Sequence, residues 1–526
     1  MFKAKNYNYN AMFKIDVPKK IIIIGAGISG LSAGIYGQKN GYLTEIFEKN
    51  PSHGGLCVSW ERDNFLIDGC VHWMTGTRKG TEMYSMWKEL GAFTHRNIVY
   101  SDNFGTVEYK GESVTFWCDL NRLERELIDT SPDDKKMIKK TVRMIYKIQN
   151  MPLPTDIPLS AMSLKRKIKF VFRVFPYLWM YWKTITKSKE EFACKFKSPL
   201  LQYAFSHIVP GDGNAYSALY AYGTVALGNG GTVKGGSSML SDNMAKSYKD
   251  HGGKIHYNSP VEEILIENKK AVGIKLKNGE IHKADYVISA CDITETYKFL
   301  HNKYHVRQFD KRFNNPEAYP VPSCVYVSLK IDYEEFKKLR ITDVFEFECE
   351  DFLVGNRQEK SIKFHVYSYD ETFIKDGNVL MTVLVHQTEK DYEYWELMHK
   401  DYKKYLEEKK RVGEAILIRL EKRFPTLAGK MKVIDITSPK TYNRYTNAYH
   451  GAYMPFSFTS KGSIYYSNGL VKRVKNLMLA GQWTLLPGGL PIAMMSGKFA
   501  IQRLLKKDER WYKITKPIRF IYEKNK

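Results

Sequence analysis

The 526 residues exceed what one hydrophobic core normally organises, so two or three domains are expected. A content of 43% hydrophobic and 26% charged residues excludes a collagen-like or wholly disordered chain, and 14% aromatics point to wide apolar pockets or interfacial contact. The net charge of +24 selects anionic partners, while seven cysteines without a C-x-x-C pair exclude a disulfide framework and a zinc site.

Along the chain, residues 1–17 are polar and basic and read as a flexible tail. The unit 20–48 is the clearest supersecondary element. Ile21-Ile22-Ile23-Ile24 is a buried-strand run, a glycine turn follows, 29–39 is a small-residue helix, and 43–47 is a second strand. Residues 93–219 read as helices and loops. The glycine-rich tract 228–236 reads as a loop leading into a helix that ends near Gly252-Gly253. Strands follow at 254–257, 261–267, 271–277 and 286–290, with an Asn278-Gly279 hairpin turn. Four alternating runs at 324–330, 344–348, 362–367 and 379–386 predict an antiparallel sheet, and 392–424 predicts one long charged helix. The chain closes on a strand at 477–480, a glycine turn and a helix at 491–505.

Gly25-Ala26-Gly27-Ile28-Ser29-Gly30 is G-x-G-x-x-G in its required place, after a strand and opening a helix. The first glycine allows the tight turn, the second lets backbone approach a diphosphate, and the third lets helix and strand pack closely. Glu48 ends the second strand, where a carboxylate can accept from ribose hydroxyls. Pro51-Ser52-His53-Gly54-Gly55 follows directly. Gly235-Gly236-Ser237, the strand from Val261, and Ala480-Gly481-Gln482-Trp483 with Pro487-Gly488-Gly489 extend the pattern.

Together these segments resemble the phytoene desaturase, carotenoid isomerase and retinol saturase family of flavoproteins, over about 45% of the chain. His72-Trp73, after Asp68, is closer to the isomerase and saturase branch. The resemblance implies an α/β fold: a Rossmann-like FAD-binding domain with an inserted α+β substrate domain. The first is expected at 18–90, 220–295 and 440–508, the second at 91–219 and 296–439. It also implies one non-covalent FAD. The diphosphate is expected at Gly25, Ala26, Gly27, Ile28, Ser29 and Gly30, the adenosine ribose at Glu48 and Lys49, and the adenine end at Val261. Gly54, Gly55, Leu56, Gly481, Gln482, Gly488, Gly489, Leu490 and Ala493 complete the site. Two positions depart from the family: Leu56 replaces a basic residue, and Gln482 replaces an acid that binds a ribityl hydroxyl. The expected activity is redox chemistry at carbon–carbon double bonds of a long isoprenoid, carotenoid-like or retinoid-like lipid, with desaturation, saturation and isomerisation all open. An amine-oxidase-like enzyme and a flavin-bearing electron carrier are the alternatives. No second G-x-G-x-x-G exists, so the electron partner is expected by transient contact: NAD(P)H, a quinone or a protein donor.

No 18-residue apolar stretch is present. Within 165–189, basic residues (Lys165, Arg166, Lys167, Lys169, Arg173, Lys183, Lys187 and Lys189) flank an aromatic-rich run from 170 to 182. That run and the basic aromatic tail 509–526 suit an anionic membrane surface, so a peripheral protein on the cytoplasmic face is expected. Nucleic-acid binding is not, because no groove-reading or stacking module is visible. Acid–base candidates are His72 and Tyr222, with His207 and His450 behind them; no metal-ligand cluster stands out, and oligomeric state is open.

Overall fold

The computed structural model describes residues 18–510. Its organising element is a five-stranded, wholly parallel sheet in the order 254–256, 43–47, 20–24, 286–289, 477–479. The strand Lys20–Ile24 is central, which is why its four isoleucines carry no polar face. The helix Ile28–Lys39 packs on this sheet and against the closing helix Gly489–Lys507, with Ser32 Oγ donating to the carbonyl of Met494 at 2.7 Å. The two ends of the chain thus meet in one layer.

The second large element is an eight-stranded sheet: 431–437, 323–332, 378–387, 357–366, 344–354, 103–109 and 112–117 in order, with 374–375 beside 378–387. All four alternating runs of 324–386 are strands in it. It is mostly antiparallel, because only Val344–Val354 and Asn103–Tyr109 run parallel. Helices between residues 120 and 226 form a cap against its 103–117 end.

Several sequence expectations need correction. Residues 93–219 are not all helix and loop: Asn103–Tyr109 and Glu112–Trp117 form a hairpin that extends the large sheet. Their inward residues Val107, Val114 and Phe116 alternate with polar ones, a period-two pattern too short to stand out beside long helices. The tract 228–236 is not only a loop, since Gly230–Val233 is a strand between Met74–Thr75 and Ile98–Val99. Bare backbone makes that close pairing feasible there. The long helix is two, Glu389–His399 and Tyr402–Arg423, split where Asp401 accepts from the Lys404 N–H. The Asn278-Gly279 turn leads to a short extra strand, Ile281–Lys283, before the chain returns to the parallel sheet. The expected boundaries at 220 and 440 fall inside the helices Ala215–Ala226 and Pro439–Thr446. The expected tail 1–17 and nearly all of 509–526 lie outside the described residues.

Candidate functional site

One cavity of about 1850 Å³ runs from the carboxyl ends of the parallel strands to the face of the large sheet. This volume is about twice the upper range for a single small-ligand pocket. Ligands of open α/β sheets sit at those strand ends, and Ile24, Phe47 and Ala290 line that end.

The glycine turn is built as its spacing predicts. Gly25 has φ +98°, and its N–H donates to the Phe47 carbonyl at 2.8 Å. A Cβ on Gly30 would fall 1.9 Å from the Gly25 carbonyl oxygen, so helix and strand touch there. A Cβ on Gly27 would meet nothing nearer than 3.8 Å, because that position opens on the cavity. Gly54 pairs with Gly27 through an isolated bridge, and its N–H donates to Ala26 at 3.0 Å. Glu48 is buried and held from both sides: Ala26 N–H donates to Oε2 at 2.8 Å and Asn50 N–H to Oε1 at 2.9 Å. Each oxygen keeps a lone pair for a hydroxyl. Lys49 Nζ donates to Asn447 Oδ1 at 2.5 Å, and burial pushes its amine below the usual lysine range.

At the other wall, the Gly489–Lys507 helix presents its N-terminus to the cavity. Gln482 braces it: Oε1 accepts from the Gly489 N–H at 3.2 Å and Nε2 donates to the Tyr453 carbonyl at 3.3 Å. One lone pair and one N–H remain for a ligand. Of the cofactor candidates, Gly25, Gly27, Ile28, Ser29, Glu48, Lys49, Gly54, Gly55, Leu56, Val261, Gly481, Gln482, Gly488, Gly489, Leu490 and Ala493 line the cavity. Ala26 and Gly30 stand behind it, the one holding Glu48 and the other holding the turn closed.

This cradle suits a dinucleotide, and residues 28–505 match the flavin containing amine oxidoreductase family. The chain belongs to that family. It is similar to the prolycopene isomerase of Daucus carota, 26% identical over 82% of this chain and 71% of the relative. It is also similar to the lycopene-forming phytoene desaturase of Paracoccus sp. (strain N81106 / MBIC 01143), 22% identical over 93% and 97%. An oxidoreductase from Methanosarcina mazei shares the fold with a TM-score of 0.58 and 18% identity over 93% of this chain and all of that one. The family member described here is an FAD-dependent oxidoreductase, and the resemblance to carotenoid desaturases and isomerases holds.

The acid–base candidates separate sharply. His72 lines the cavity, and burial depresses its imidazole to about 4. Its Nδ1 lies 3.5 Å from Nδ1 of His365, which burial depresses to about 3. Both rings are therefore neutral near pH 7. Behind His72, burial pushes the Asp68 carboxyl up to about 6, and the Tyr326 hydroxyl donates to the Asp68 carbonyl at 2.9 Å. Tyr222 does not reach the site. It is fully buried against Phe104 and Phe116, and its hydroxyl donates to the Trp117 carbonyl. His207 stacks on Tyr203, and His450 lies between Tyr392 and Tyr449; neither lines the cavity.

Sequence reading missed His365, Tyr369, Thr382 and His386, all of which line the cavity. Their signal was the period-two face of two strands: Lys363 and His365 on one, Thr382, Leu384 and His386 on the next. Polar residues on a buried face mark a site rather than a core.

Proposed function

We propose that this flavoprotein exchanges hydride with carbon–carbon double bonds of a long isoprenoid polyene. The observation that carries the proposal is the single cavity that joins the glycine cradle to a long, mainly apolar chamber. The names of the two relatives support it independently, since both refer to lycopene-type polyenes. Bound FAD supplies the two-electron, hydride-level exchange at its N5. The chain's own residues do the rest. Gly27 and Ser29 would present backbone to the diphosphate at the N-terminus of Ile28–Lys39, with Gly25 shaping the turn beneath it. Glu48 would take the adenosine ribose and Val261 the adenine end, since both line the cavity. The first turn of Gly489–Lys507, held in place by Gln482 and open to the cavity, would direct its dipole at the flavin ring. Leu56, where a cation is usual, leaves diphosphate binding to backbone donors. His72, neutral and facing the cavity, is the candidate placed to hold or move a proton.

The same reading includes docking on the cytoplasmic face of a membrane. The helix Leu164–Val174 buries none of its residues, and Phe172, Trp179 and Trp182 are 73%, 65% and 69% exposed. Phe170 and Val174, on the same stretch, line the cavity. An apolar surface flanked by cations therefore adjoins the chamber, an arrangement suited to taking a water-insoluble ligand from lipid. Each cation adds about 1 kcal/mol near an anionic leaflet. No helix among the described residues is long and apolar enough to cross a membrane.

Anaerobic rapid mixing tests the reaction. Reduced holoprotein should be reoxidised by a polyene, and oxidised holoprotein should be bleached by a less conjugated one, with a two-hydrogen mass change or an isomerised product. Redox exchange with a primary amine and none with polyenes would reverse the assignment toward amine oxidation.

A further inference from the structure

The large sheet turns a polar row toward the apolar chamber. Its register sets Thr382 opposite His365, and both line the cavity. Two side-chain positions further along the same face, beyond Leu384, stands His386, opposite Cys324. Tyr369 stacks beside His365 with ring centroids 6.0 Å apart. Thr382 and His386 are more than nine-tenths buried, yet Thr382 Oγ1 and His386 Nδ1 have no hydrogen-bond partner. The Oη of Tyr369, which also lines the cavity, is buried and unpartnered as well. Each such group costs about 1–3 kcal/mol while it is unpaired. A pure hydrocarbon lying on this row would leave every one of those costs standing.

Building on the polyene reading, we infer that the ligand carries a neutral oxygen, a hydroxyl or carbonyl, that sits against Thr382, Tyr369 and the His365–His386 side of the sheet. The Tyr369 hydroxyl is a free donor, the Thr382 hydroxyl beside Tyr326 can turn to meet such an oxygen, and neutral imidazoles add one donor and one acceptor each. Burial holds His72, His365 and His386 at about 4, 3 and 4, so the row carries no charge of its own near pH 7. A carboxylate would need a cation. The adjacent Lys363 is already committed, donating to the carbonyls of His207 and Ile208 at 3.2 and 3.0 Å with Glu346 at 3.5 Å. A neutral oxygen can meet Thr382 and Tyr369 without that demand.

The test uses full-length, FAD-loaded protein titrated with three ligands on one acyclic polyene skeleton: the alcohol, the hydrocarbon and the carboxylate. Affinities are read from the shift in polyene absorption. The alcohol should bind about tenfold more tightly than the hydrocarbon, with the carboxylate weakest. Thr382→Val and Tyr369→Phe keep side-chain shape, and each should cost the alcohol about three- to tenfold while leaving hydrocarbon affinity in place. Equal affinity for alcohol and hydrocarbon overturns the inference and assigns the row to trapped water. A preference that survives both substitutions overturns it too, because the oxygen then binds elsewhere. If the alcohol binds with the stated preference but leaves the reduced protein unoxidised, the reaction proposed above fails while the binding inference stands.

Discussion

The two ends of the cavity are built on opposite plans. At the glycine cradle the supporting polar groups are already tied to the protein: Glu48 takes two backbone N–H groups, Gly25 donates to Phe47, and Gln482 braces the closing helix. On the sheet face, Thr382, Tyr369 and His386 each keep an atom with no partner. A site whose scaffold is braced before its ligand arrives is rigid and can be specified by a short local motif. A site whose groups are unsatisfied depends on its ligand for part of its stability, and it is assembled by strand register. The first plan serves a cofactor that stays, the second a ligand that comes and goes.

The largest expected effect breaks the cradle. Gly30→Ala drives a methyl into the Gly25 carbonyl, and thermal unfolding should show a loss of about 3 kcal/mol together with colourless protein. Gly27→Ala has room for its methyl, so the fold should persist while FAD retention falls at least tenfold in a flavin titration. Equal unfolding by both would show that Gly27 is structural. Next in size, replacing Phe172, Phe175, Trp179 and Trp182 by Ser should lower flotation with anionic vesicles by about tenfold or more, with stability unchanged, since all four are exposed. Raised salt should weaken wild-type binding only in part, because screening acts on the cations and not on the aromatics.

A smaller effect concerns pH. His72, His365 and His386 stay neutral in the fold down to about 4, 3 and 4, whereas unfolded histidine titrates near 6.5. Between those values the unfolded chain binds more protons, so stability falls as pH falls from about 6.5 to about 4. Asp68 acts in the opposite sense. Its folded value of about 6 lies above the ordinary 3.8, so acidification through that window favours the fold. In denaturant titrations at stepped pH, His365→Phe should flatten the acid limb and Asp68→Asn should steepen it. The smallest effect is that of Tyr222→Phe, which removes only the bond to Trp117 and should cost about 1 kcal/mol without altering turnover. A collapse in turnover would return Tyr222 to the site.

The contrast also explains what was legible in the sequence. The unit 20–48 with its glycine turn was readable because strand, turn, helix and strand follow one another within about thirty residues, and the closing strand and helix because they repeat that local order. The polar row was not, because Thr382 and His365 become neighbours only through strand pairing. Tyr222 misled for the converse reason: its position on an apolar helix says nothing about which face meets the cavity, and its side chain turns into the core. The strand 230–233 hid among glycines, whose lack of side chains erases the alternation that marks a strand.

The central claim is that cofactor and polyene occupy one continuous cavity and touch. Flavin fluorescence of the FAD-loaded protein, titrated with a polyene that absorbs outside the flavin band, tests this most directly. The account predicts saturable quenching with one polyene per flavin, weakened by Thr382→Val when the polyene bears a hydroxyl. Flavin emission unchanged at concentrations where the polyene is demonstrably bound would place the two ligands apart and contradict it.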